Sequence, residues 1–358
     1  MIKNLSIKNY KLFKDIEIKN ISQFTLIGGK NNAGKTSLLH AMFLLFDRGR
    51  MDITVRHNHS KGMNEIPLTS GFFFEPIFSD FDSNNKIIQI KANNATYTRS
   101  INIEEITKNN ISIPIQNTNS ILQENNNNDP LQALKITFKN NDEIVEQSLI
   151  SIYPEQNFQV TNSKKVDSAR NTIIYARIPS HQNNEAQKVS ELILDKQIHK
   201  LLEILQIIAP EIKNIQSIAV NNGNQFSNML HVDIGKNKLV PLAYMGDGIT
   251  RLVSIIASMY QCKNGILFID EIENGLHHSV IKDIWKGIIS LAKDINCQII
   301  ATTHSDEFLR LANEAMQDEN LQKQDFSYLK LERQGDEVRI GEFDYELFDY
   351  AIENMEIR

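Results

Sequence analysis

Phe24-Thr25-Leu26-Ile27-Gly28-Gly29-Lys30-Asn31-Asn32-Ala33-Gly34-Lys35-Thr36-Ser37-Leu38-Leu39-His40-Ala41-Met42-Phe43 decides how this chain is read. An apolar run, a glycine-bracketed polar loop and a second apolar run predict a strand, a loop and a helix in that order. Without side chains at Gly29 and Gly34 the loop can curl so that successive N–H groups point inward at phosphate oxygens. In the spacing G-x-x-x-x-G-K-T, Lys35 would reach the outer phosphates and the Thr36 hydroxyl would ligate Mg2+, with the helix N-terminus beneath them. Gly29, Asn31, Asn32, Ala33, Gly34, Lys35, Thr36 and Ser37 are therefore the candidate nucleotide contacts. A glycine turn that merely joins two elements is the plainer alternative; the strand and helix on either side favour the phosphate loop.

The 358 residues suggest roughly two domain-sized units of ordinary globular composition. A net charge of -6 gives nucleic-acid binding no support, although a local basic patch can hide within that sum. The two cysteines, Cys262 and Cys297, cannot build a disulfide framework, and each lies beside an apolar run that suits a reduced, buried thiol. No apolar run approaches the roughly 18 residues of a membrane span, and Met1-Ile2-Lys3-Asn4-Leu5-Ser6-Ile7 has no signal-peptide core. The expectation is a soluble cytoplasmic protein with no membrane partner.

Before the loop, Leu5 to Tyr10 and Ile16 to Ile18 alternate apolar with polar, predicting two short strands joined by a turn at Lys14-Asp15. After a helix ending near Phe46 the chain becomes Asn-rich with many β-formers, which reads as an insertion. Hairpins are predicted for Ile87–Lys91 with Thr96–Ile103 across Asn93-Asn94, and for Leu134–Phe138 with Ile144–Leu149 across Asn140-Asn141-Asp142. The run from Asn125 to Pro130 reads as an exposed loop. His57 and His59 lack further ligands at metal spacing and read as loop residues. Ile173 to Ile178 predicts a short buried strand closed by Pro179-Ser180. From Val189 to Ile208 a three- and four-residue apolar spacing predicts a core-facing helix or pair of helices, and strands are expected at Ile215–Val220, Leu230–Ile234 and Leu239–Leu242.

Met245-Gly246-Asp247-Gly248 forms a glycine turn at the start of a helix from Ile249 to Tyr260. The apolar strand at Gly265-Ile266-Leu267-Phe268-Ile269 then ends in Asp270-Glu271. Beside a phosphate loop, Asp270 can hold Mg2+ and Glu271 can polarise the water that attacks the γ-phosphate. An Asp-Glu pair that only caps a helix leaves the following features unexplained. A polar turn, Glu273-Asn274-Gly275-Leu276-His277-His278, leads into an amphipathic helix carrying Val280, Ile281, Ile284, Trp285, Ile288 and Leu291. Another apolar strand, Gln298 to Thr302, ends in Thr303-His304-Ser305, where an imidazole can hydrogen-bond the γ-phosphate and sense its loss. A helix at Phe308–Ala315, a hairpin of Phe326–Leu331 with Val338–Ile340, and a last helix at Glu346–Asn354 complete the pattern.

These residues resemble the ABC-like ATPases of the RecF/SMC/OLD group. The likeness lies in Walker A at Gly29–Ser37, a signature motif at Met245–Gly248, Walker B at Ile266–Glu271, a D-loop at Asn274–His278 and a switch histidine at His304. The opening Ile2 to Phe13 is similar to the start of that group, and Met-Gly-Asp-Gly with Asp-Glu-Ile-Glu-Asn-Gly-Leu-His looks like its AAA15/AAA21-like branch. The resemblance implies an α/β fold: a P-loop ABC-type ATPase head with a β-rich insertion and a helical lobe. The implied organisation is an N-terminal ATPase lobe at 1–47, the insertion at 48–170, a strand and helical lobe at 171–244, and a C-terminal ATPase lobe at 245–358. It further implies ATP and Mg2+ as cofactors, with Glu271, His304 and Lys35 as catalytic groups. Gly246, Asp247 and Gly248 would be nucleotide contacts, and Thr36 and Asp270 metal ligands. A head-to-tail ATP-sandwich dimer or higher oligomer would drive or gate an effector, a nuclease or toxin, in prokaryotic antiviral defence or genome maintenance.

Two departures from the group stand out. Gly246 replaces the usual signature serine, removing a hydroxyl donor to the γ-phosphate and implying slow hydrolysis. Long heptad runs are missing, which argues against a tethering rod. Residues 305–358 leave no room for an OLD-type nuclease domain of roughly 100 residues. The alternative function is a non-hydrolysing ATP-gated scaffold that sequesters its partner. A transporter ATPase fits the signature and D-loop less well, and kinases and GTPases do not explain the Asp-Glu strand and His304.

Overall fold

Tyr10 lies opposite Phe13 at the tip of an antiparallel hairpin made by β1 (Asn4–Tyr10) and β2 (Phe13–Ile18). The turn is thus Lys11-Leu12, not Lys14-Asp15 as the alternation suggested. Asp15 belongs to β2, opposite Lys8 and ion-paired with it at 3.0 Å, while Lys11 takes the left-handed φ of 49° that the tight turn needs. These features come from a computed structural model describing residues 1–46, 74–84, 86–106, 132–153, 158–162, 171–174, 182–221, 226–318, 323–354 and 357. His57, His59, the Asn125–Pro130 run and Pro179-Ser180 lie outside the described residues.

The hairpin is followed by β3 (Phe24–Gly29) and α1 (Lys35–Phe46), then by β4 (Ile87–Asn93), β5 (Thr98–Ile106), β6 (Gln132–Asn140), β7 (Glu143–Ile152) and β8 (Phe158–Asn162). The expected hairpins are β4–β5 and β6–β7. The second turns through Asn141 and Asp142 at φ 50° and 65°, the two positive angles of a type I′ turn. Ile7 pairs with Ile90, so β1 carries β4 to β8 in one antiparallel sheet of order β2-β1-β4-β5-β6-β7-β8. The β-rich stretch therefore extends the sheet begun at the N-terminus.

The chain continues through β9 (Asn171–Ile174), α2 (Gln182–Leu194), α3 (Ile198–Ile208), β10 (Asn214–Asn221), β11 (Phe226–Asp233), β12 (Val240–Pro241) and α4 (Asp247–Gln261). The Val189–Ile208 pattern is thus a pair of helices, broken where Lys196 takes φ 57°. Then come β13 (Ile266–Ile269), α5 (His278–Asp294), β14 (Gln298–Thr302), α6 (Asp306–Asp318), β15 (Phe326–Gln334), β16 (Glu337–Asp344) and α7 (Tyr345–Asn354). The central sheet has the order β16-β15-β3-β14-β13-β9, parallel except for the edge strand β16.

Strand periodicity divides this sheet into two faces. Ile27, Ile266, Phe268, Ile300, Leu329 and Leu331 join the core shared with α1 and the antiparallel sheet. Phe24, Leu26, Leu267, Ile269, Ile299, Ala301 and Tyr328 join the core on the helical side. α1 is buried from Leu38 to Phe46, which explains a sequence apolar on every face: it lies between two sheets. On the other side Trp285 of α5 meets Phe24 and Phe308 edge-on, with centroids 6.5 and 5.8 Å apart. The N-terminus is tied in by fully buried Gln298, whose amide accepts from the Ile2 N–H at 2.7 Å and donates to the Ile2 and Ser22 carbonyls, both at 2.9 Å.

Candidate active site

Because β3, β14 and β13 run parallel with β14 in the middle, their carboxyl ends open on one edge, where α/β sheets take ligands. The phosphate loop leaves β3, Asp270-Glu271 leaves β13, and Thr303-His304-Ser305 leaves β14. Motifs far apart in sequence thereby become neighbours.

The loop turns at Gly29 (φ 134°) and Gly34 (φ 103°). Lys35 Nζ donates to the Gly29 and Lys30 carbonyls at 2.6 and 3.0 Å, which places the ammonium at the loop's mouth. The Thr36 hydroxyl donates to Asp270 Oδ1 at 3.0 Å, and the Thr302 hydroxyl donates to the same oxygen at 2.7 Å. Burial pushes the Asp270 carboxyl above its ordinary value, opposed by the bonds from Thr302 and Thr36. Thr302 also accepts the Glu271 N–H at 2.8 Å, and Glu271 sits in the left-handed region at φ 48°.

A hydroxyl and a carboxylate side by side are hard oxygen donors suited to Mg2+, which commonly takes one or two carboxylates and completes its shell with substrate phosphates and water. No cluster of three or more His, Cys, Asp or Glu able to hold a metal occurs among the described residues.

Further groups tie the motifs together. His304 Nδ1 lies 3.0 Å from Glu273 Oε1, and the same oxygen accepts the His304 N–H at 2.9 Å. Glu273 is mostly buried and the imidazole half exposed, so the carboxylate fixes the ring and favours a proton on Nδ1. The Arg251 guanidinium reaches from α4 to donate to the Asp270 and Glu271 carbonyls at 2.7 and 2.8 Å. Gly246 precedes α4 at φ 94° and ψ 158°, a region open almost only to glycine, so a serine there would require a different backbone. Asp247 is exposed. A Cβ built on Gly248 would overlap the Gly275 carbonyl oxygen, so the signature turn rests on the turn that follows Glu273.

Lys35, Thr36, Asp270 and Glu271 are thus gathered at one edge, with His304 beside them through Glu273. Thr302, Arg251 and Glu273 are additions that the sequence reading did not single out. So is the β15–β16 hairpin: a cavity of about 470 Å³ separates its Lys330–Gln334 stretch from Lys30, Asn31 and Ala33 of the loop.

The sequence profile of a family described as AAA ATPase domain matches residues 1–309. An ATP/GTP phosphatase from Helicobacter pylori is 27% identical over 377 residues, covering 99% of each chain. An uncharacterised protein of Methanocaldococcus jannaschii is 31% identical over 94 residues, covering 25% of this chain and 40% of its own. Among solved structures, an SMC head bound to the C-terminal winged-helix domain of ScpA superposes with a TM-score of 0.50 at 12% identity, covering 96% of this chain and 97% of that one. A Pyrococcus furiosus SMC head domain with an extended coiled coil, bound to the C-terminal domain of ScpA, also gives 0.50 at 12%, covering 98% of each. The fold is that of a P-loop ABC-type ATPase head.

Proposed function

The chain belongs to the AAA ATPase domain family, whose activity is ATP hydrolysis, and from that premise we propose how its residues perform the reaction and to what end. The observation that carries the reading is the hydrogen-bonded row Thr36, Asp270, Thr302 and Glu271 across the ends of three parallel strands. The phosphate loop binds the triphosphate through its backbone N–H groups, and Lys35 exchanges its two carbonyl partners for phosphate oxygens. Thr36 and Asp270 hold Mg2+. When bound, the ion neutralises charge on the outer phosphates. Glu271 orients and deprotonates the attacking water, and His304, held by Glu273, contacts the γ-phosphate.

At a higher level the reading is a slow ATPase whose ATP-bound state is a head-to-tail dimer, in which Gly246, Asp247 and Gly248 of one copy face the phosphate loop of the other. The SMC heads that share its fold are bound to a partner protein, ScpA, which supports a partner protein for this chain as well. A nuclease or toxin in antiviral defence or genome maintenance is the class of effector this reading favours. The shared fold and the relative described as an ATP/GTP phosphatase support the ATPase part of this reading.

Glu271→Gln and Lys35→Ala test this reading together. Glu271→Gln keeps the shape but removes the base, so turnover should collapse while ATP stays bound and a dimer becomes isolable by light scattering after gel filtration. Lys35→Ala should weaken nucleotide binding itself. Retained turnover in Glu271→Gln removes that residue from the chemistry, and a monomer at every ATP concentration removes the dimer.

A further inference from the structure

Glu271 occupies an unfavourable conformation for a residue with a side chain. A left-handed φ is costly for a non-glycine residue and persists only where neighbours over-determine it. Here both peptide groups that flank the Glu271 Cα are held. Its N–H goes to Thr302 Oγ1 at 2.8 Å, the Asp270 carbonyl takes Arg251 at 2.7 Å, and the Glu271 carbonyl takes Arg251 at 2.8 Å and the Asn274 N–H at 3.0 Å. The next residue is fixed as well, the Ile272 N–H donating to the Thr302 carbonyl at 3.0 Å. Arg251 is the one contributor to this set that comes from α4, from the turn of helix after Gly248.

We infer that Arg251 is a positioning residue for hydrolysis, holding the Asp270-Glu271 backbone so that the Glu271 carboxylate meets the attacking water, and tying that carboxylate to the helix that begins at the Gly246 turn. One planar guanidinium nitrogen spans two successive carbonyls, a geometry a flexible ammonium reproduces poorly. Its charge lies among Asp270, Glu271 and Glu273, so it also eases the crowding of three carboxylates. The guanidinium donates to the Asp270 and Glu271 backbone carbonyls, so it acts on the reaction through Glu271. The inference rests on the reading of Glu271 as the base. Since α4 starts at the signature glycines, a shift of that turn is passed to the catalytic backbone through a side chain about one helical turn away.

The test is steady-state ATPase activity and binding of a fluorescent ATP analogue for Arg251→Met and Arg251→Lys, each alone and combined with Glu271→Gln. Misplacing the base should lower kcat by about 100-fold in Arg251→Met. Nucleotide affinity should stay within about two-fold, because Thr36, Lys35 and the loop are untouched. Arg251→Lys should recover part of the loss, and should Arg251→Met fail to fold, Arg251→Lys carries the same comparison. In the Glu271→Gln background neither substitution should lower residual turnover further, since the residue through which Arg251 acts is already disabled. Losses that multiply between Arg251 and Glu271 overturn the inference, as does a fall in nucleotide affinity that matches the fall in kcat. Retained turnover in Glu271→Gln alone overturns the reading of that base and the inference with it, whereas collapsed turnover with multiplying losses overturns only the inference.

Discussion

Replacing Thr302 with valine removes one hydroxyl and two hydrogen bonds while leaving the shape of the side chain almost unchanged. Thr302 is fully buried, so no water replaces what is lost. The Glu271 N–H is stranded, at about 1–3 kcal/mol, and Asp270 loses a bond to a charged acceptor worth about 1.5–3 kcal/mol. Asp270 keeps its bond from Thr36, and together the losses should total about 2.5–6 kcal/mol at neutral pH. The pH dependence has a definite sign. Burial already raises the Asp270 carboxyl, and removing Thr302 removes the largest opposing influence, so the value rises further in the variant. A raised carboxyl value favours the protonated folded form. The Asp270 part of the penalty is therefore full where that carboxylate is ionised and fades as pH falls through its titration, while the stranded N–H contributes at every pH. Urea unfolding of wild type, Thr302→Val and Thr302→Ser, without divalent metal at pH 7.5 and 5, measures both parts. A loss below about 0.5 kcal/mol, a Thr302→Ser loss equal to that of valine, or a penalty that grows in acid would refute the reasoning.

Gly248→Ala should destabilise the chain by about 1–3 kcal/mol in thermal unfolding without nucleotide, because the added methyl meets the Gly275 carbonyl within the same chain; an unchanged unfolding temperature would show that the two turns separate freely. Cys262 and Cys297 are buried, and burial raises the Cys297 thiol well above its usual range, so a chromogenic aromatic disulfide should label neither in the native protein even at pH 9 and both after denaturation.

The phosphate-loop motif was legible because its pattern is local: the residues proposed to cradle and neutralise phosphate are consecutive from Gly29 to Ser37. Asp270-Glu271 was legible because an apolar strand ending in carboxylates is itself a short-range pattern. Thr302 was not, because its role depends on β14 lying between β3 and β13, and strand order is not written in any one stretch. Arg251 was hidden for a different reason. An arginine on an amphipathic helix ordinarily faces water, and only tertiary packing aims this one at two carbonyls. The same limit hid the continuity of β1 with β4, whose pairing joins residues across a long stretch of chain. The misplaced first turn had a local cause: Lys14-Asp15 looks like turn chemistry, but cross-strand pairing of Asp15 with Lys8 outweighs that weak preference.

β3 lies in the central sheet between β14 and β15. The Thr25 and Ser327 hydroxyls, 2.9 Å apart, are separated by 302 residues of chain. On a ribosome adding about 5–20 residues per second, the strand that launches the phosphate loop waits on the order of 15–60 s for the neighbour on that side to be made. During that interval β3 has no finished central sheet to join, and the face of the all-round apolar α1 that packs on that sheet stays uncovered and open to aggregation or chaperones. Nascent chains stalled before β14 should therefore bind no nucleotide, and synonymous changes that slow translation between α1 and β14 should lower soluble yield without changing the activity of the protein that matures.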